Sequence, residues 1–153
     1  MTAYPLFKEE FLLAVPTLHP LNEKARYIAG SKYRIIDPVE LNGQDLILQT
    51  NWQSSRKIED EILQHHQIKP KRIREIRSFE MAVRMVAEGL GVTFIREGYA
   101  AYMKLENAVN YYMLDTESHQ KEVVIAHKKS IAPPEYMKDM IRLLQESCRH
   151  FPG

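Results

Sequence analysis

Met81–Phe94 reads Met-Ala-Val-Arg-Met-Val-Ala-Glu-Gly-Leu-Gly-Val-Thr-Phe, and it restricts the fold more tightly than any other stretch. Phe79, Ala82, Val83, Val86 and Leu90 recur at the spacing of a helix with one core-facing stripe. Ser78 is placed to cap its start, and Gly89 suits the left-handed residue just past its end. After Leu90-Gly91 the chain becomes apolar from Val92 to Ile95, which reads as a buried strand. A helix-turn-strand unit of this kind belongs to α/β domains, where small molecules bind at strand ends.

The rest of the chain extends the alternation. Phe7 to Pro16 reads as one strand, and its continuous apolar run Phe11–Val15 suggests burial on both faces. Leu46–Leu48 is a second buried strand. Thr50–Ser55 then offers several helix caps, and a helix follows to about His66 with Ile58, Ile62 and Leu63 on one face. Ile73–Ile76 is a strand and Glu97–Met103 a short helix, with two more strands at Val109–Leu114 and Glu122–His127. Pro133-Pro134 opens a last helix, in which Met137, Met140, Ile141, Leu144 and Cys148 fall in register. That stripe is expected to be buried in a dimer or against the chain's own sheet. The expected class is α/β.

Composition narrows the function. With 153 residues, 44% of them hydrophobic and 27% charged, the chain suits one globular domain. A net charge of +1 gives no field to draw it onto nucleic acid or an anionic membrane. The single cysteine, Cys148, excludes a disulfide framework and fits a reducing cytoplasm. The N-terminus has no apolar signal region and no segment is apolar enough to span a bilayer, so a cytoplasmic protein is expected.

Enzymatic motifs are absent: no phosphate loop, no HExxH, no Gly-x-Ser-x-Gly. His65 and His66 are adjacent, point about 100° apart on a helix, and cannot share a metal. Cys148 lies on an apolar face and reads as a small core residue. Glu9-Glu10 and Glu59/Glu61 read as solvated charges rather than acid–base pairs. No catalytic residue, metal or cofactor is therefore expected. The basic run Lys69–Arg77 has no interleaved aromatic residue for base stacking, and Ile73 and Ile76 read as core contacts within a solvated segment.

Two segments carry possible binding chemistry. Thr50, Asn51, Trp52, Gln53, Ser54 and Ser55 sit between a strand and a helix start, where free N–H groups suit a carboxylate, sulfate or phosphate. The same residues also read as ordinary caps around a surface turn, with Trp52 packed on the fold. Phe94, Ile95 and Arg96 end the strand after Gly91, where a guanidinium can grip an anion. Alternatively, Arg96 is a surface arginine at a helix start.

Together these landmarks resemble the effector-binding domain of LysR-type transcriptional regulators. The residues that carry the resemblance are Glu10–Pro16 with His19-Pro20-Leu21, Leu46–Ser55, Ser78–Phe94, and Val123–His127 before a terminal helix. The resemblance implies one lobe of a type 2 periplasmic-binding-protein-like fold: a mixed sheet flanked by helices, plus a C-terminal helix. It implies a single effector-binding domain fragment over 1–153, with the second subdomain and its crossover strands at 7–127 and the terminal helix at 133–150. The winged helix-turn-helix and most of the first subdomain are not in this chain.

The family's cleft residues fall by position on Thr50–Ser54 and Phe94–Arg96. The family often has proline where Arg96 stands, a departure that leaves that contact open. The implied partners are a small, anionic effector and a second copy of the chain, with no DNA contact by this fragment and no membrane. Two other readings are a free-standing small-ligand-binding protein of the periplasmic class and a small α/β enzyme. The first is opposed by the missing signal peptide and second lobe, the second by the missing catalytic constellation.

Overall fold

A computed structural model describes residues 1–114, 120–129 and 132–149. Its main sheet has six strands in the order β3-β7-β2-β6-β4-β5. These are β2 (Phe11–Pro16), β3 (Ile35–Ile36), β4 (Asp45–Gln49), β5 (Arg72–Ile76), β6 (Val92–Arg96) and β7 (Val109–Leu114). β4 runs parallel to both β5 and β6, while β2 is antiparallel to β6 and β7. The sheet is therefore mixed, as expected.

Helices cover both faces. α1 (Ser54–His65) packs Ile62 on one side, against Leu13, Leu46, Leu48 and Phe94. α2 (Phe79–Ala87) and α3 (Glu97–Met103) pack Ala82, Val83, Val86 and Ala100 on the other, against Leu12, Ile47 and Ile95. Double coverage explains why β2 is buried at every position: alternate side chains enter opposite cores.

The end of α2 follows from its glycines. Gly89 (φ +78) donates its N–H to the Val86 carbonyl at 2.8 Å, and the Leu90 N–H reaches that of Met85 at 3.0 Å. This paired closure satisfies carbonyls that the helix leaves free. Leu90 itself is exposed, because the chain has already left the helix when the stripe reaches it.

Several expectations need correction. The strand read over Phe7 to Pro16 is two strands, β1 (Thr2–Glu9) and β2, separated at Glu10. β1 leaves the main sheet and pairs antiparallel with β8 (Lys121–His127), from Thr2 opposite His127 to Glu9 opposite Lys121. Ile73 is exposed because β5 is an edge strand, and only Ile76 is partly buried. Of the terminal stripe on α4 (Glu135–Ser147), Ile141 alone is buried, while Met140 and Leu144 stay exposed and Cys148 is only partly covered. α4 lies on the two-stranded ribbon, with Gln145 Nε2 donating to the Pro5 carbonyl at 3.1 Å, and a ribbon is too narrow to cover the stripe. The expected helix end at 150 lies outside the described residues.

Two carboxylates are also not solvated. Glu9 is buried and paired with Arg96, and Glu59 is fully buried beneath α1.

Candidate functional site

The parallel strands β4, β5 and β6 deliver their carboxyl ends to one edge, and each leads into a helix there. A cavity of about 900 Å³ opens at that edge, with Phe7 of β1 and Val123 of β8 contributing to its wall. This is where an open α/β sheet places a ligand.

The β4–α1 turn is held by its own side chains. Gln53 Oε1 accepts hydrogen bonds from the Thr50 N–H (3.1 Å) and the Thr50 hydroxyl (2.8 Å), and the Trp52 indole donates to that hydroxyl. Gln53 Nε2 donates to the Arg77 carbonyl at 3.0 Å, locking this turn to the start of α2. The Arg77 guanidinium stacks over the exposed Trp52 ring, 4.7 Å from its centroid. It has no carboxylate partner among the described residues.

These bonds occupy Gln53, so α1 starts with no side-chain cap and no acidic residue in its first turn. Its first N–H groups lack helical partners and carry the positive end of the helix dipole. Beside them Ser55 is only 5% exposed and lines the cavity. Its hydroxyl has no hydrogen-bond partner among the described residues.

Arg96 lines the cavity but is already engaged. Its Nη1 donates to Glu9 Oε1 at 3.1 Å, and the other Glu9 oxygen accepts the Gly98 N–H at 3.1 Å. Next to this clamp, Glu97 accepts from Lys32 Nζ (2.8 Å), the Tyr33 hydroxyl (2.7 Å) and the Glu10 N–H (3.2 Å). Burial opposes ionisation of Glu97, but these donors outweigh it and hold its carboxyl below the usual range. The β1–β2 junction is thereby tied to the start of α3.

Of the residues singled out in sequence, Gln53, Ser54 and Arg96 line the cavity. Thr50 and Trp52 build the turn behind it, and Asn51 is exposed beside them. Phe94 and Ile95 are fully buried in opposite cores, Phe94 stacked on Phe11 at 5.7 Å between centroids. Sequence reasoning missed Arg77, Phe79, Tyr99 and Tyr102 as lining residues, while Ser55 closes the candidate segment that begins at Thr50. Ser78 and Phe79 were visible as a helix start, the same signal that singled out the start of α1.

Residues 1–149 match the family described as LysR substrate binding domain. The chain belongs to that family. Effector sensing, the task of this domain, fits a cavity at the strand ends. No curated protein matches the chain. Among solved structures, it is similar to the regulatory domain of CcmR from Synechocystis PCC6803 in complex with 2-PG, at 14% identity and TM-score 0.82, over 98% of this chain and 68% of that one. It is also similar to the effector-binding domain of QuiR in complex with shikimate, at 17% identity and TM-score 0.73, over 98% and 66%. The reduced OxyR regulatory domain from Pseudomonas aeruginosa is 25% identical with TM-score 0.68, over 97% and 65%. The chain thus spans about two thirds of these LysR domains, and 47% of full-length BenM. No helix among the described residues is long and apolar enough to cross a membrane.

Proposed function

We propose that this chain is the second subdomain, crossover strands and terminal helix of a cytoplasmic LysR-type regulator, and that it senses a small anionic effector in the cavity at the β4–α1 turn. In the whole regulator, effector binding shifts domain geometry and so transcription, with a second copy of the chain as partner. One observation carries the anionic assignment: the start of α1, with no side-chain cap and no acidic residue in its first turn, opens on the cavity beside Ser54 and Ser55. Arg77 supplies a cation to the same cavity. A carboxylate or phosphate offers acceptors to all of these groups.

Ser54 and Gln53 belong to this site, and Arg96 joins it wherever the effector competes with Glu9. This reading makes the domain a binding module, which its match to the LysR substrate binding domain supports.

The test is a titration with small carboxylates and inorganic phosphate, followed through backbone amide shifts. The Ser54 and Ser55 amides are expected to move first. Ser55→Ala should weaken anion binding about tenfold, the worth of one hydrogen bond to a charged group. Anions that move only amides far from this turn would overturn the assignment.

A separate expectation concerns the clamp. Glu9→Gln leaves Arg96 without its charge partner and should strengthen anion binding about threefold at low salt, an advantage that fades as salt screens it. Affinity measured by calorimetry at two salt concentrations checks this. Unchanged affinity would mean that Arg96 does not face the bound anion.

A further inference from the structure

Beyond its anion-binding groups, the cavity has a wall of aromatic side chains. Phe7 comes from β1, Phe79 starts α2, and Tyr99 and Tyr102 lie on α3. Phe79 and Tyr99 already form a ring pair, with centroids 5.2 Å apart and planes tilted by 31°. Tyr99 and Tyr102 are three residues apart on one helix and therefore share a face. Tyr102 is 81% exposed and Tyr99 nearly half, and neither hydroxyl has a hydrogen-bond partner among the described residues.

Large rings left exposed together around a concave site are costly to hydrate, and they gain when a ligand covers them. The core does not need Tyr99 and Tyr102, whereas Phe79 also packs against it. Ala100, between them on α3, is the residue that packs against Val83 and Ile95.

We propose that the effector of this site is an aromatic carboxylate, with its ring covered by Phe79, Tyr99 and Tyr102 and its carboxylate held at the start of α1. The inference rests on the anionic reading above and adds the chemistry of the other half of the ligand. Aromatic rings prefer offset or edge-to-face neighbours at centroid separations of 4.5–7 Å, and the Phe79–Tyr99 pair offers both a face and an edge. A saturated ring of the same size buries similar area but gains nothing from that geometry. A cavity of about 900 Å³ has ample room for one six-membered ring and its substituents, and the two tyrosine hydroxyls are free to read polar groups on it.

The test compares benzoate, cyclohexanecarboxylate, benzamide and inorganic phosphate on this chain by chemical-shift titration. Benzoate should bind about fivefold tighter than cyclohexanecarboxylate, and it should shift both the Ser54–Ser55 amides and the Tyr99 and Tyr102 ring signals. Tyr99→Leu and Tyr102→Leu keep apolar bulk but remove the rings. They should erase the benzoate preference and leave phosphate affinity unchanged.

Equal binding of the two ring carboxylates, or a benzoate preference that survives both leucine variants, would overturn the aromatic assignment while leaving the anionic one intact. Benzamide binding as tightly as benzoate, with Ser54 and Ser55 unmoved, would overturn the anionic reading and this proposal with it. So would the failure of phosphate and both carboxylates to shift those amides.

Discussion

Alanine at Gly91 is expected to destabilise the domain by about 3 kcal/mol, the combined scale of backbone strain and a forced shift of a buried neighbour. Gly91 stands at φ +150, and a Cβ built there meets the Asp45 carbonyl oxygen at 2.6 Å. That oxygen cannot yield easily. Asp45 begins β4, which pairs with β5 on one side and β6 on the other, so relieving the clash means moving a central strand. Gly89 supplies the control. It also has a positive φ, +78, but nothing lies within 4 Å of its Cβ position. Alanine there should cost only ~1 kcal/mol, the price of the left-handed conformation. Denaturant unfolding of both variants measures the difference. A Gly91→Ala protein as stable as Gly89→Ala would show that β4 gives way without cost.

The second large effect comes from Glu59. Burial pushes its carboxyl up to about 8, and the Gln49 N–H, which donates at 2.8 Å, and the nearby Arg56 only partly oppose this. Its other oxygen and both amide atoms of the Gln49 side chain are buried without partners among the described residues. In the unfolded chain the same carboxyl ionises near its ordinary value of 4.5.

Between those two values the folded state holds a proton that the unfolded state has lost. Stability therefore falls as pH rises, by roughly tenfold in the folding equilibrium for each unit, and the loss is complete above about pH 8. Glu59→Gln keeps an acceptor for the Gln49 N–H and cannot ionise. Its stability should match the wild type near pH 5 and exceed it near pH 8 by a few kcal/mol, on the order of 4. Parallel unfolding profiles for the two proteins across that range would remove Glu59 as the source.

Glu59 also shows where sequence reading stops. Residue type alone groups it with Glu61 as a solvated helix charge, and Glu61 is indeed exposed. Glu59 precedes Ile62 by three residues, so it lies on the stripe that faces the sheet. The periodicity was in the sequence, but a charged residue type outweighed it. Glu9 is different. Its partner Arg96 is 87 residues away, and no local pattern announces such a pair.

The elements that were legible are those made by local rules: the capped helix ending at Gly89, the short α3, the apolar strands, and the proline-led α4. The strands missed were β1, whose strand partner among the described residues is β8, and the two-residue β3, which pairs with β7. For the site, helix starts at the edge of a parallel sheet were readable, and they pointed to Gln53 and Ser54. The aromatic wall was not, because Phe7, Phe79, Tyr99 and Tyr102 meet only when β1, α2 and α3 converge. The apolar run already reads Phe94 and Ile95 as buried, and it is the family resemblance that places them at the cleft.

The ribbon of β1 and β8 has a consequence for mechanics. Chain enters and leaves the main sheet side by side, with Glu9 across from Lys121, so the six-stranded body hangs from one two-stranded strap. Phe7 and Val123 on that strap are paired across it, and both line the cavity. A molecule seated there bears on the suspension as well as on the body. Twisting the strap changes the shape of the cavity, and filling the cavity resists the twist. A ligand that touches both strap and body should therefore couple its occupancy to the torsional stiffness of the strap.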